Sequence, residues 1–418
     1  MRKRPFDKRV GYFANSYEVF EEDSHKADRD IFAVRWRLEP KSEEDAERQK
    51  RGELIEPKKP IVYYIDPATP KKWRPYLIQG INDWQKSFEK AGFKNAIVGK
   101  EWPENDSTMS LEDARFSVVR YFASDISNAY GPNVHDPRTG EIIKGQVSLG
   151  SLRVRQDYLI FSGLLSPYET GIPANDKMLQ AALARLRQLS AHEIGHTIGL
   201  MHNYAASVSN RASVMDYPHP TIRVNAAGEM DFSSVYDDKI GDWDKVAVTW
   251  GYQDFPTGIN EKNALNTIIT EANKKGLQFI SDRDARAPGG LHPQAHLWDN
   301  GVNAADELKE VMKVRSKALQ QFGEKNIVPG MPMAMLEDAL VPVYFYHRYQ
   351  IEAATKLVGG MYYNYALRGD GQLITRMLPK EEQRKALNAI VDCIDPKVLM
   401  IPDRIAALIP PRPSGYGS

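Results

Sequence analysis

The chain is nearly without cysteine: Cys393 is the only one in 418 residues. No intrachain disulfide can form, so the fold must be held by its core alone. Neither sign of charge is in excess, with 55 Lys and Arg against 55 Asp and Glu. No basic stripe interrupts that balance, which removes the electrostatic footprint of a nucleic-acid binder. No apolar run approaches the length of a membrane span. The start, Met1-Arg2-Lys3-Arg4-Pro5, is basic but is not followed by the apolar stretch of a signal peptide. What remains is ordinary for a soluble globular protein, 42% hydrophobic and 26% charged. The length predicts two or three domains.

One stretch stands apart, Ala191-His192-Glu193-Ile194-Gly195-His196-Thr197-Ile198-Gly199-Leu200-Met201-His202. On a helix, His192 and His196 share one face, one turn apart, and two imidazoles so placed can bind a single metal ion. Glu193 lies beside the first of them, where its carboxylate can reach a water on the metal without being a ligand. Gly199 allows the backbone to leave the helix sharply, because no Cβ forbids positive φ. That turn can bring His202 round as a third ligand. The bland alternative, a helix with unrelated surface histidines, explains a bare H-E-x-x-H but not the longer spacing of three histidines, a glutamate and a glycine. The pattern predicts a zinc hydrolase site, with Zn²⁺ as its cofactor. Ser213-Val214-Met215-Asp216-Tyr217 follows shortly after.

The extended histidine motif with a methionine turn behind it resembles the metzincin zinc metallopeptidases. The segments from Ile240-Gly241-Asp242-Trp243-Asp244 to Trp250-Gly251-Tyr252, with Trp298-Asp299-Asn300-Gly301, resemble bacterial metzincin-like zinc peptidases that carry a long helical C-terminal region. The resemblance implies an α+β fold: a twisted mixed sheet with the active-site helix, followed by a mainly α-helical C-terminal domain. It implies Glu193 as general base and Met215 as a base beneath the imidazoles that does not touch the metal. Tyr217, two residues on, would donate a hydrogen bond to the oxyanion, as in astacin-like and serralysin-like relatives. It further implies a peptide or protein substrate and action outside the cytoplasm (periplasmic, cell-surface or secreted), hence a leader absent from this sequence. Asn203, not an acid, follows the third histidine, so the astacin pairing of that position with a buried N-terminus has no counterpart. Cys393 lies too far downstream to serve as an upstream inhibitory thiolate, and reads as a buried, inert thiol.

Taken in order, the chain divides into an N-terminal β extension (1–58), a catalytic domain (59–255) and a helical domain (256–418), with Phe255-Pro256-Thr257-Gly258 as the last boundary. Val10 to Phe13 and Ile31 to Trp36 read as strands. The mixed charge run from Lys41 to Lys59 reads as a solvated loop or surface helix. Ile61 to Ile65 and Phe116 to Phe122 read as strands, with a helix from Trp73 to Ala91 between them. Glu141 to Gly150 is expected to be the edge strand that pairs with an extended substrate. Asn175 or Asp176 is expected to cap the active-site helix. Met178, Leu179, Ala182, Leu183, Leu186 and Leu189 supply its apolar stripe against the sheet. Pro218 to Pro220 should wall the pocket beyond the scissile bond, and His135 and His219 are not expected to be ligands. Ser281-Asp282-Arg283-Asp284 lacks the length and glycine of a calcium loop and reads as solvated. Two other functions fit the same residues: a catalytically inactive binder of peptides or glycans, and a zinc amidase acting on a small or cell-wall peptide.

Overall fold

The computed structural model describes residues 1–22, 25–124, 126, 128–168, 177–237, 239–256, 258–286 and 289–416. The expected cap of the active-site helix at Asn175 or Asp176, and Thr257 at the expected boundary, lie outside them. Strands β1 (Ala14–Val19) and β2 (Asp28–Ala33) form an antiparallel hairpin, and α1 (Glu43–Lys50) follows. The central sheet is built from β3 (Ile61–Ile65), β4 (Ile97–Glu101), β5 (Ser117–Phe122), β6 (Ala129–Tyr130), β7 (Asn133–His135) and β8 (Ile142–Gly150). Its order is β4-β3-β5-β8-β6, with β7 also on β8. The first four run parallel, and β6 and β7 run antiparallel to β8.

That order corrects one expectation. β8 is an interior strand, paired with β5 on one side and with β6 and β7 on the other. The edge is the short Ala129–His135 segment. A second correction concerns the first strand: Val10 to Phe13 is not the strand, which begins at Ala14. Those four residues instead run antiparallel past the turn after the active-site helix. Phe13 donates its N–H to the Gly199 carbonyl at 2.7 Å, and Met201 donates to Gly11 at 2.8 Å.

Helices α2 (Arg74–Asp83) and α3 (Gln85–Lys90) divide the expected single helix. α4 (Leu152–Leu165) precedes the long α5 (Lys177–Thr197), which carries the motif. α5 lies against α2, and Ser190 Oγ donates to the Leu77 carbonyl at 2.8 Å while the Trp84 indole donates to Ala191 at 2.8 Å. Buried polar groups paired in this way fix the rotation of α5 about its axis. Its apolar stripe is divided between two cores. Leu186 and Leu189 join the sheet core, whereas Met178 and Ala181 join a second core with Phe161 and Leu164 of α4.

After a small hairpin, β9 (Arg223–Val224) with β10 (Met230–Asp231), come α6 (Asp242–Tyr252) and α7 (Glu261–Lys274). The remainder holds the short α8 (Asp282–Ala285), then α9 (Ala304–Gln321), α10 (Leu336–Tyr344), α11 (Arg348–Thr355), and a hairpin of β11 (Met361–Tyr363) and β12 (Thr375–Met377). α12 (Lys380–Cys393) and the short α13 (Pro396–Leu399) and α14 (Asp403–Ala406) close that region. The fold is α+β with a helical C-terminal region, as the resemblance implied. α9 and α10 complete the second core through Val314, Ala318, Leu336 and Val343. Cys393 is buried with Ala386 and Ala389, its thiol turned to the Ala389 carbonyl, as its position far from any ligand suggested.

Candidate metal centre

His192 and His196 lie on the last turns of α5, and both they and His202 face one point. Among the described residues they form the only cluster of three or more potential metal-ligating side chains, with ligand atoms within 4.8 Å of one another. Gly199 adopts φ of +105°, and a Cβ there would stand 2.1 Å from the Val34 carbonyl oxygen. Only glycine suits both the left-handed backbone and the close approach of the N-terminal segment. The turn is tied down from several sides: Tyr252 donates to the Ile198 carbonyl at 2.7 Å, and the Trp36 indole to Thr197 at 3.0 Å.

Each imidazole is fixed through Nδ1. That of His192 bonds the Val214 carbonyl at 2.7 Å, and that of His196 the Leu200 carbonyl at 2.8 Å. His202 Nδ1 instead bonds the Asp282 carboxylate, at 2.9 and 3.1 Å. With all three Nδ1 atoms engaged, the Nε2 atoms remain for a common ion, and the buried Nε2 of His202 has no hydrogen-bond partner. Burial, reinforced by the neighbouring imidazoles, pushes the pKa of His192 well down and that of His196 down to about 4. Both are therefore neutral at pH 7, the form a metal requires. These donors fit zinc: nitrogen ligands, three in number, each oriented by a second hydrogen bond.

The methionine turn lies directly beneath. A Cβ on Gly195 would fall 2.1 Å from Met215 Sδ, so the thioether occupies the space that the missing side chain leaves. Asp244 holds this turn, accepting from Ser213 Oγ at 2.5 Å and from the Val214 N–H at 2.8 Å. The same Val214 then presents its carbonyl to His192, so α6 positions the first imidazole through two bonds. Burial raises the Asp244 pKa to about 6, the hydrogen bonds opposing it.

Glu193 is buried beside His192 and lines a cleft of about 940 Å³ with the three histidines. Tyr217 lines it too, its ring centroid 4.8 Å from that of His202 and 5.4 Å from that of His192. The rest of the wall comes from both ends of the chain. Phe13, Ala14 and Val34 stand on one side, the edge segment Asn128–Asn133 also contributes, and Arg286 and Trp298 come from the C-terminal region. His135 is on the rim, bonded to Asn133 Oδ1, and is not part of the triad.

Pro218 to Pro220 do not line this cleft, contrary to expectation. His219 turns inward onto Tyr346, with ring centroids 4.6 Å apart, and its carbonyl accepts from Asn300. Nor is Ser281–Asp284 a solvated loop. Asp282 reaches His202; burial would raise its pKa, but the bonds from His202 and Arg286 outweigh that and hold it well below the usual carboxylate range. Sequence reasoning missed Asp282, Trp298, Phe13 and Val34. Their only common signal is proximity in space, which no local pattern carries.

Three histidines, an adjacent glutamate, a glycine turn and a methionine turn define a metzincin-type metal site. A family model described as Met-zincin matches residues 174–413, more than half the chain, and the protein belongs to that family. A second model, described as a domain of unknown function, matches residues 1–41. No curated protein and no solved structure matches the chain.

Proposed function

We propose that this metzincin-type protein is a zinc-dependent endopeptidase, with His192, His196 and His202 as metal ligands and Glu193 as general base. The observation that carries the reading is the buried Glu193 carboxylate beside the three-histidine cluster, inside a cleft flanked by an antiparallel edge strand. Zinc, when bound, supplies Lewis acidity, which makes water nucleophilic near neutral pH and withdraws electrons from a carbonyl oxygen. Glu193 accepts the proton of the attacking water and returns it to the leaving amine. Tyr217, whose ring packs 4.8 Å from that of His202, is assigned the donor to the carbonyl oxygen as that atom gains charge. The outer edge of β6 and β7 aligns an extended chain by main-chain hydrogen bonds, a mode suited to peptides and tolerant of side-chain identity. Its action is assigned outside the cytoplasm, the location that the metzincin resemblance implies.

The test is cleavage of an unfolded protein and of an internally quenched peptide library by the zinc-loaded chain, with Glu193→Gln alongside. The wild type is expected to cut within chains. The variant should retain zinc and lose at least about 10³-fold in kcat, since general base and proton delivery are both removed. An active, zinc-loaded Glu193→Gln would overturn the assigned role. A wild type that cuts only small amides would replace endopeptidase by amidase, and binding without any cleavage would make the protein a peptide receptor.

A further inference from the structure

We infer that Asp282 is a positioning residue of the metal centre, through which the C-terminal region orients His202 and strengthens it as a ligand. This rests on the zinc reading above. His192 and His196 sit on a rigid helix, and each gives Nδ1 to a neutral carbonyl. His202 lies beyond the Gly199 turn, outside any helix, so no helical backbone fixes its ring. Its orientation comes instead from a carboxylate that approaches Nδ1 with both oxygens, at 2.9 and 3.1 Å. A carboxylate on the distal nitrogen fixes the tautomer with Nε2 as the free donor and raises the basicity of that nitrogen. Among the described residues, His202 alone of the three gives Nδ1 to an anionic partner, the other two bonding carbonyls.

Asp282 is itself held. The Tyr204 hydroxyl donates to Oδ1 at 3.3 Å, Ser281 Oγ donates to Oδ2 at 3.3 Å, and the Arg286 guanidinium bonds Oδ1. Arg286 also bonds the Tyr204 hydroxyl and lies 5.1 Å from the centroid of the Tyr217 ring. The loop that delivers His202 is fastened to the same stretch, since Asn203 donates to the Gln278 carbonyl at 2.8 Å and accepts from the Ile280 N–H at 3.2 Å. Asp282 and its supports thus form a network built around one imidazole. The neighbouring Asp284 is placed differently: it accepts from the hydroxyls of Tyr363 and Tyr365, within the C-terminal region.

The experiment uses the full chain with Asp282→Asn, Asp282→Glu and Asp284→Asn. Zinc affinity is read by competition with a chelator, and ligand geometry by the visible absorption of the cobalt-substituted protein. Asp282→Asn keeps the shape and removes the charge; it should weaken zinc by roughly 10–100-fold and shift the cobalt spectrum. Asp282→Glu should recover part of the affinity. Asp284→Asn should lower the melting temperature while leaving zinc affinity and cobalt spectrum unchanged. Wild-type affinity and an unaltered spectrum in Asp282→Asn would overturn the inference. So would an equal loss of affinity in Asp284→Asn, because the effect would then be general destabilisation. If the wild type itself takes up no zinc, it is the three-histidine reading that fails.

Discussion

Gly199 carries two constraints that can be separated by experiment. Its φ of +105° costs any other residue backbone strain, and the Val34 carbonyl leaves no room for a Cβ. Gly228 has only the first constraint, with φ of +78° and nothing within 4 Å of where a Cβ would stand. Gly228→Ala is therefore expected to cost about 1–2 kcal/mol, the ordinary penalty for a left-handed residue. Gly199→Ala adds a clash with backbone that cannot swing aside, for a total of about 2–5 kcal/mol. Denaturant midpoints of the two variants check this. Equal losses would show that the approach of Val34 contributes nothing. The turn was legible because glycine at that spacing has one obvious use. What the turn packs against was not, since Val34 lies more than a hundred residues away in the chain.

At the scale of elements, the active-site helix and the methionine turn were legible, and the edge strand was not. β6 has two residues and β7 three, separated by Gly131 and Pro132, too short for alternation to register. The longer β8 shows a regular pattern and so drew the assignment that belongs to its neighbours. The junction between the methionine turn and the C-terminal region holds a second feature hidden from sequence. Asp216 and Asp299 are both buried there, Ser207 donating its N–H to the first at 3.1 Å and its hydroxyl to the second at 3.4 Å. Burial raises both pKa values above the usual carboxylate range, and the proximity of Asp299 adds to the shift of Asp216. Arg211 and Lys239 border the same small cavity, and Lys356 acts on Asp299, yet these cations do not reverse the shift. A folded-state pKa raised above the unfolded value means that the native state retains a proton the unfolded chain has released. Stability is then lost as pH rises from about 4 through the folded pKa. Asp299→Asn cannot ionise and escapes that loss. Its stability relative to wild type should improve by about 1–3 kcal/mol between pH 5 and pH 8. Thermal or urea unfolding at the two values measures it, and a difference that does not change with pH would contradict the account.

At the scale of the molecule, the candidate metal centre is assembled from three distant parts of the chain. Residues 11–13 and 34 clamp the Gly199 turn, residues 192–217 supply the motif, and residues 282–298 supply Asp282, Arg286 and Trp298. The middle part could be read from spacing because its residues are local in sequence and their chemistry dictates their distance. The outer parts could not, because the strand-like and helical patterns around them look the same whether or not they touch the site. The helical region therefore has a part in the candidate centre itself: Asp282 bonds the His202 imidazole, and Arg286 and Trp298 wall the cleft. The proposed chemistry depends on the three histidines binding one metal ion. The most direct test is the zinc content of the purified full chain by elemental analysis, before and after reconstitution, beside His202→Ala. The account predicts about one zinc per chain, weakened or lost in the variant. A wild type that takes up no zinc on reconstitution, or a variant that binds it as tightly, would contradict it.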